Sequence, residues 1–163
     1  MATAFIQTSA GRFTAHFSDR GLARLEFPEA SGQAACRRTG AGLTSVQRAW
    51  LRITARAVRR ALKGEPIAEF PPLDVSSGTE FQQRVWEELC RIAPGHTRSY
   101  AEIARLVGRP TAARAVGRAC GANPIPLLIP CHRVLAADRR IGGFSGGLDW
   151  KRRLLESEGV AFN

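Results

Sequence analysis

Between residues 4 and 27 apolar and polar positions alternate with a period of two. Phe13, Ala15 and Phe17 oppose Arg12, Thr14 and His16, and Ala23, Leu25 and Phe27 oppose Arg24 and Glu26. That alternation predicts half-buried strands, and Ser9-Ala10-Gly11 and Asp19-Arg20-Gly21 supply the turns of an antiparallel meander. From Pro28 to Leu43 the chain is rich in Gly, Ser, Ala and Arg without any period, which predicts a loop. Thr44 and Gln47 then have capping-box spacing ahead of Val46, Trp50, Ile53, Ala57 and Ala61, a helical stripe running to Gly64 and expected to cover the sheet. The other face of that helix carries Arg48, Arg52, Arg56, Arg59, Arg60 and Lys63, with no acid between Ala30 and Gly64. Such a run is usually a solvated face; a secondary contact with phosphate is the sharper alternative.

Gly64 to Gly78 holds Pro66, Pro71 and Pro72 and has no helical period, so the domain boundary is expected there, dividing residues 1–75 from 76–163. A second capping box, Thr79 and Gln82, opens a helix that packs Phe81, Val85, Leu89 and Ile92 and ends at Pro94-Gly95. A third, Ser99 and Glu102, opens a short helix through Ile103, Leu106 and Val107 that stops at Gly108. Thr111 is expected to start another, Ala112 to Cys120. Two short helices across the break Gly108-Arg109-Pro110 have the pattern of a helix-turn-helix. The second is nearly without bulk: Ala112, Ala113, Ala115, Gly117 and Ala119 leave Arg114 and Arg118 projecting one turn apart. Gly117 costs roughly 1 kcal/mol against alanine, so a helix or a nucleic-acid backbone is expected close to that face.

The chain carries 24 basic and 14 acidic residues, a formal charge of +10, and all but two of the bases are arginine. Arginine suits phosphate and base edges, although an arginine-rich proteome gives the same composition. Position favours nucleic acid, because six arginines and one acid lie between Arg98 and Arg133. No apolar run approaches the roughly 18 residues of a membrane span, and the first residues lack the basic start and apolar core of a signal peptide. A cytoplasmic, intracellular protein with no membrane partner is expected. Cys36, Cys90, Cys120 and Cys131 contain no CxxC pair, which argues against a zinc ribbon or a dithiol motif and for one reactive cysteine among inert ones.

Cys131 stands out. It follows Asn123-Pro124-Ile125-Pro126-Leu127-Leu128-Ile129-Pro130, whose three prolines are expected to hold the chain extended and whose apolar residues are expected to be buried. A thiol of ordinary pKa is only about 3% ionised at pH 7, so a nucleophile needs a nearby cation or base, and His132 and Arg133 follow at once. Neighbours on extended chain point to opposite sides, so His132 can serve Cys131 only through a turn or a bridging water, and itself needs a carboxylate to orient it. On spacing alone, a buried cysteine beside a satisfied histidine is the commoner arrangement.

The surrounding words change that balance. NPIPLLIPCHRV, preceded by TEFQQRVWEELCRIAPGHTRSYAEIARLVGRPTAARAVG and followed by FSGGLDWKRRLLESEG, resembles the alkylguanine-DNA alkyltransferase (methylated-DNA-protein-cysteine methyltransferase) family almost continuously from Pro72 to Gly159. TSAGRFTAHFSDRGLARLEF is similar to that family's first domain; the loop from Pro28 to Leu43 matches no motif. The resemblance implies an α/β fold with a ribonuclease-H-like N-terminal domain and a winged helix-turn-helix C-terminal domain. It implies binding in the minor groove of alkylated double-stranded DNA, with the damaged guanine flipped into a pocket. Cys131 would then be the alkyl acceptor, His132 its base through a water, Glu158 the orienter of His132, and Asn123 the brace of the turn before the site. Tyr100 would aid rotation of the nucleotide and donate to the departing guanine, and Arg114 would fill the gap left in the stack. Ser99, Ala115 and Arg118 would lie at the DNA face. Ser145, Phe144 and the backbone from Val134 would line the base pocket, with Lys151 bracing it. The acceptor would be spent after one turnover, with no cofactor and no metal. A monomer in solution is expected, with side-by-side assembly on DNA left open. Phe144 stands where the family often has tyrosine, and Ile92-Ala93-Pro94-Gly95 where it has IPYG. Cys36, Cys90 and Cys120 are given no role. A DNA-binding module without chemistry and a Cys-His hydrolase are the rival classes; Cys131 argues against the first and the basic, bulk-free helix against the second.

Overall fold

The computed structural model describes residues 1–28 and 42–163; most of the Pro28–Leu43 loop, including Cys36, lies outside the described residues. Strands β1 (Ala2–Thr8), β2 (Gly11–Phe17) and β3 (Leu22–Glu26) form the expected antiparallel meander, with Phe13 opposite Ile6 and Ala15 opposite both Ala4 and Leu25. The inward set of β1 and β2 is fully buried, as their alternation requires. In β3 the pattern is offset: Leu22 and Leu25 are buried and Ala23 only half so, because the ladder carries a register shift between His16 and Phe17.

Helix α1 (Ser45–Ala61) starts at the Thr44–Gln47 capping box, but it lies on the sheet rotated from the face its apolar spacing suggests. Gln47, Thr54, Ala57, Val58 and Ala61 are buried, whereas Val46 is exposed and Trp50 and Ile53 are only half-buried. The cause is polar. Gln47 closes the capping box with Oε1 and donates from Nε2 to Ser18 O at 3.1 Å, tying the start of the helix to the β2–β3 turn, and Thr54 satisfies its hydroxyl on Trp50 O. The basic stripe faces outward, and part of it is neutralised by acids beyond Gly64: Arg56 pairs with Glu69 at 2.8 Å and Arg60 lies 3.7 Å from Glu65.

Helices α2 (Glu80–Cys90) and α3 (Tyr100–Leu106) begin at the second and third capping boxes. Helix α4 (Ala113–Gly121) does not begin at Thr111: Ala112 is its first flanking residue and no side chain caps it. The break before α4 is held by backbone alone, with Arg109 N on Ala104 O at 2.8 Å and Gly108 at a φ of 74°. Leu106, expected inside, is exposed. The strongest tie between α2 and α4 is Trp86, buried, whose Nε1 donates to Ala119 O at 2.8 Å. Two short parallel strands, β4 (Arg98–Ser99) and β5 (Val134–Leu135), pair Arg98 with Val134 and Ser99 with Leu135. That pairing sets Tyr100, the first residue of α3, beside the segment that carries Cys131. Helix α5 (Leu148–Ser157) delivers Lys151 and, one residue past its end, Glu158.

One core of buried residues runs from the sheet through α1, α2, α3 and α4 to the strand-and-turn segment before Cys131. Gly64 marks the closest approach of α1 to α5: at a φ of 69°, a Cβ there would overlap the carbonyl of Ser157, next to Glu158. Among the described residues no helix is long and apolar enough to cross a membrane.

Candidate active site

The turn before the site is built by Asn123. Its Oδ1 accepts from Ile125 N at 3.0 Å, and its Nδ2 donates to Ile129 O at 2.8 Å and to Cys131 Sγ at 3.2 Å. The run is therefore not extended, as the three prolines suggest. It doubles back, with Ile129 N on Ile125 O at 2.9 Å and Leu127 at a φ of 76°. Each proline fixes only its own φ, and the left-handed leucine, costing about 1–2 kcal/mol, is held by the Asn123 clamp and by burial of Ile125, Leu127, Leu128 and Ile129.

Cys131–Arg133 forms a single turn of 3-10 helix, so Cys131 and His132 do not point to opposite sides as on extended chain. His132 Nε2 lies 2.9 Å from Glu158 Oε1. Arg133, noted in the sequence only as a cation next to Cys131, is instead the third member of the Glu158 cluster: Nε donates to both oxygens of Glu158 at 3.1 Å, Nη2 to Oε1 at 2.9 Å, and Nη1 to Ile92 O. Gly95 N adds a further bond to Glu158 Oε2 at 3.2 Å. The apolar context IPCHRV is the signal that could have found Arg133, since a guanidinium on a buried run must have a carboxylate partner.

These contacts set the proton states. Burial pushes the Glu158 carboxyl up, but the hydrogen bonds and charges of His132 and Arg133 prevail and bring it down to about 2. Burial lowers the His132 pKa below its ordinary value, against the opposing pull of Glu158. The anionic Glu158 beside Nε2 places the proton of neutral His132 on Nε2 and leaves Nδ1 as a lone pair. Nδ1 is buried and meets no hydrogen-bond partner.

Cys131 is buried, and burial pushes its thiol up to about 11 despite the Asn123 amide and the Lys151 ammonium. At pH 7 only about one molecule in 10^4 is a resting thiolate. Lys151 is wholly buried; its Nζ donates to Val134 O at 2.7 Å and Gly143 O at 3.2 Å, and burial brings its pKa down to about 8.

A cavity of about 450 Å3 opens above the thiol, lined by Tyr100, Gly117, Cys120, Gly121, Cys131, Gly143, Phe144 and Ser145. Of the residues expected at a base pocket, Phe144 and Ser145 line it. Val134 is fully buried behind it and contributes its carbonyl to Lys151. Cys120, in the last turn of α4, lines the same cavity. No other helix lies against Gly117: within the chain, a Cβ there would touch only the Tyr100 ring, at 3.8 Å. Phe144 stands edge-on to His132 at 6.4 Å and to Phe27 at 5.7 Å, and Phe27 packs on Trp150 at 4.7 Å, so aromatic rings from the sheet and α5 support the pocket rim. Outside the cavity, Arg114 and Arg118 are exposed on α4, Ala115 is half-buried between them, and Ser99 spends its hydroxyl capping α3 on Glu102 N.

A thiol at the foot of an apolar cavity, with a neutral imidazole behind it and a carboxylate orienting that imidazole, is the arrangement of a protein that uses cysteine as a nucleophile. Residues 80–160 match the family model described as 6-O-methylguanine DNA methyltransferase, DNA binding domain. The chain is 57% identical over 81 residues to a methylated-DNA–protein-cysteine methyltransferase of Mycobacterium tuberculosis, covering 50% of this chain and 49% of that one. It is 45% identical over 87 residues to the protein of that name from Saccharomyces cerevisiae, covering 53% of this chain and 46% of that one. The matched stretch thus spans about half the length of these curated relatives. Likeness to solved structures extends further: M. tuberculosis OGT in complex with DNA superposes with a TM-score of 0.78 at 36% identity, covering 96% of this chain and 91% of that one. The O6-methylguanine-DNA methyltransferase of Pyrococcus kodakaraensis gives a TM-score of 0.70 at 25% identity, covering 98% of this chain and all of that one. The chain belongs to the O6-methylguanine DNA methyltransferase family.

The shared carboxylate carries a pH signature. Glu158 binds its proton at about 2 when folded and near 4.5 when unfolded, so it stabilises the fold above 4.5 and that stability is lost as the pH falls toward 2. Replacing it by glutamine should flatten the loss of stability between those values in denaturant titrations, while lowering stability at neutral pH because Arg133 loses its partner. An unchanged acid slope would contradict the assignment.

Proposed function

We propose that this chain repairs double-stranded DNA by moving an alkyl group from guanine O6 to Cys131, irreversibly and once per molecule. The observation that carries this reading is Cys131 at the foot of the cavity, bonded by Asn123 and backed by neutral His132 on Glu158. Residues 1–75 form a ribonuclease-H-like domain and residues 76–163 a winged helix-turn-helix domain. The β1–β3 meander with α1, the α3–α4 pair and the β4–β5 pairing support that division, as does the likeness to solved relatives. The protein is a monomer in solution and its partner is duplex DNA.

In this reading α4 enters the minor groove, Arg114 fills the gap in the stack and Arg118 lies against phosphate, while the flipped base occupies the cavity. The bulk-free α4 lets the backbone come close. A water carries the Cys131 proton to His132 Nδ1, and Glu158 stabilises the imidazolium that results. Because the thiol rests protonated near 11, reaching the thiolate at pH 7 costs about 5 kcal/mol, and the base must act as the substrate reacts. Sulfur then attacks the sp3 carbon on O6, the carbon–oxygen bond breaks, and guanine leaves with the electron pair. Tyr100, whose phenol burial pushes up to about 12, stays protonated and donates to the departing base. The product thioether offers water no leaving group, so the protein is consumed. The rival hydrolase would release its acyl group and turn over.

Intact-mass spectrometry after incubation with an O6-methylguanine duplex tests this: wild type should gain one methyl group, on Cys131, and keep it. Cys131→Ser should gain none while binding damaged duplex within a few-fold of wild type. Methyl transfer by Cys131→Ser, or release of the group with time, would refute the reading.

Arg114→Ala should slow transfer from duplex by at least tenfold and leave reaction with free O6-alkylguanine nearly unchanged, because only the duplex demands extrusion of a base. Stopped-time assays on both substrates check this; equal slowing on both would remove Arg114 from the flipping step.

A further inference from the structure

The cavity holds a second thiol that transfer of a simple alkyl group leaves unused. Cys120 and Cys131 line the same space, and both are free. The α4 wall around Cys120 is bare: a Cβ at Gly121 would meet no atom within 4 Å, and one at Gly117 only the Tyr100 ring. A disulfide demands Cα atoms within about 4.4–6.8 Å and sulfurs in bonding contact, a restriction that a two-carbon bridge does not share.

Resting on the alkyl-transfer reading above, we propose that Cys120 is a second acceptor for bifunctional adducts: when the group carried to Cys131 is a 2-haloethyl, Cys120 captures its far carbon and closes an ethylene bridge inside the cavity. The first step is the transfer already described, breaking the carbon–oxygen bond and forming the Cys131 thioether. With the repaired base withdrawn, the thioether sulfur displaces halide from the terminal carbon and forms a three-membered sulfonium ring. The Cys120 sulfur attacks one ring carbon, the ring opens, and the electron pair returns to the Cys131 sulfur. The Cys120 proton passes to water at the cavity mouth. Each bridge releases one halide and one proton, and no oxidant or reductant is consumed.

Other nucleophiles are less able: Tyr100, in the cavity lining, is a neutral phenol of low affinity for soft carbon, and Lys151, outside the lining, directs Nζ at two backbone carbonyls. Burial also keeps Cys120 protonated, its pKa pushed up to about 12, so its proton leaves to water as the sulfur attacks the strained sulfonium carbon. The consequence is protective: the reactive half-mustard on Cys131 is closed off within the protein before it can alkylate the DNA it came from.

The test uses the full chain with duplex DNA freshly treated with a 2-chloroethylating agent, and an O6-methylguanine duplex in parallel. Trypsin leaves both cysteines in one peptide, residues 119–133, so a bridge appears as an ethylene-bearing peptide in which neither cysteine reacts with iodoacetamide and fragmentation between them is lost. Most wild-type peptide labelled at Cys131 should be in that form. In Cys120→Ala, scored per molecule labelled at Cys131, the group should end as 2-hydroxyethyl on Cys131 alone. A wild-type peptide carrying hydroxyethyl or chloroethyl on Cys131 with Cys120 open to iodoacetamide, or a bridge to Tyr100 or Lys151, would overturn the proposal while methyl transfer stands. Failure of wild type to gain a methyl group in the parallel arm would overturn the alkyl-transfer reading itself.

Discussion

The side chain of Glu158 is 1% exposed, and its two oxygens are shared by the His132 imidazole, the Arg133 guanidinium and the backbone of Gly95. A carboxylate taken so completely out of water is costly unless each lone pair finds a donor, and here each oxygen has at least two. The elements around it are placed to supply those donors. Arg133 also bonds Ile92 just past the end of α2, the β4–β5 pairing fixes the strand leaving Arg133, and α5 ends one residue before Glu158 against the turn at Gly64. Removing the carboxylate would leave Arg133 buried without its partner, a loss of about 3–5 kcal/mol in comparable cases.

That network decides what the thiol can do. Arg133 and His132 keep Glu158 ionised, Glu158 takes the Nε2 proton of His132, and burial keeps the ring neutral, so the remaining nitrogen is a base. The same burial drives the Cys131 thiol up to about 11, which protects it from stray electrophiles at rest. In the proposed reaction, therefore, the base acts only while a substrate fills the cavity. Phe27, just past β3, packs on both Trp150 of α5 and Phe144, and so connects the N-terminal sheet to the rim of that cavity.

Local grammar was legible in the sequence wherever a rule of short range governs. All three capping boxes start helices where their spacing puts them, and the period-two alternation of β1 and β2 marks the buried faces correctly. The readings that failed depend on partners distant in sequence. The α1 stripe misleads because Gln47 is drawn inward by the Ser18 carbonyl, a contact no local pattern carries. Three prolines suggest extension because the Asn123 side chain that bends the run bonds six and eight residues ahead. Leu106 and Thr111 belong to a helix pair held by backbone geometry rather than by their side chains. At the site, the motif words pointed to Cys131, His132, Glu158 and Tyr100; the structure sets Cys131 and Tyr100 on one cavity and pairs His132 with Glu158. Arg133 was legible only as a cation next to Cys131, because its partner Glu158 lies 25 residues on, and Cys120, on an alanine-rich helix, reads as incidental until its neighbours are known.

The central claim is that Glu158 and Arg133 together fix His132 as a neutral imidazole with its proton on Nε2 and a free lone pair on Nδ1. Nitrogen NMR of the 15N-histidine-labelled protein at pH 7 measures this directly. The account predicts a protonated, amide-like Nε2 and an unprotonated Nδ1 for His132, changing to a charged ring only well below pH 6.5. A proton on Nδ1, or an imidazolium at pH 7, would contradict it.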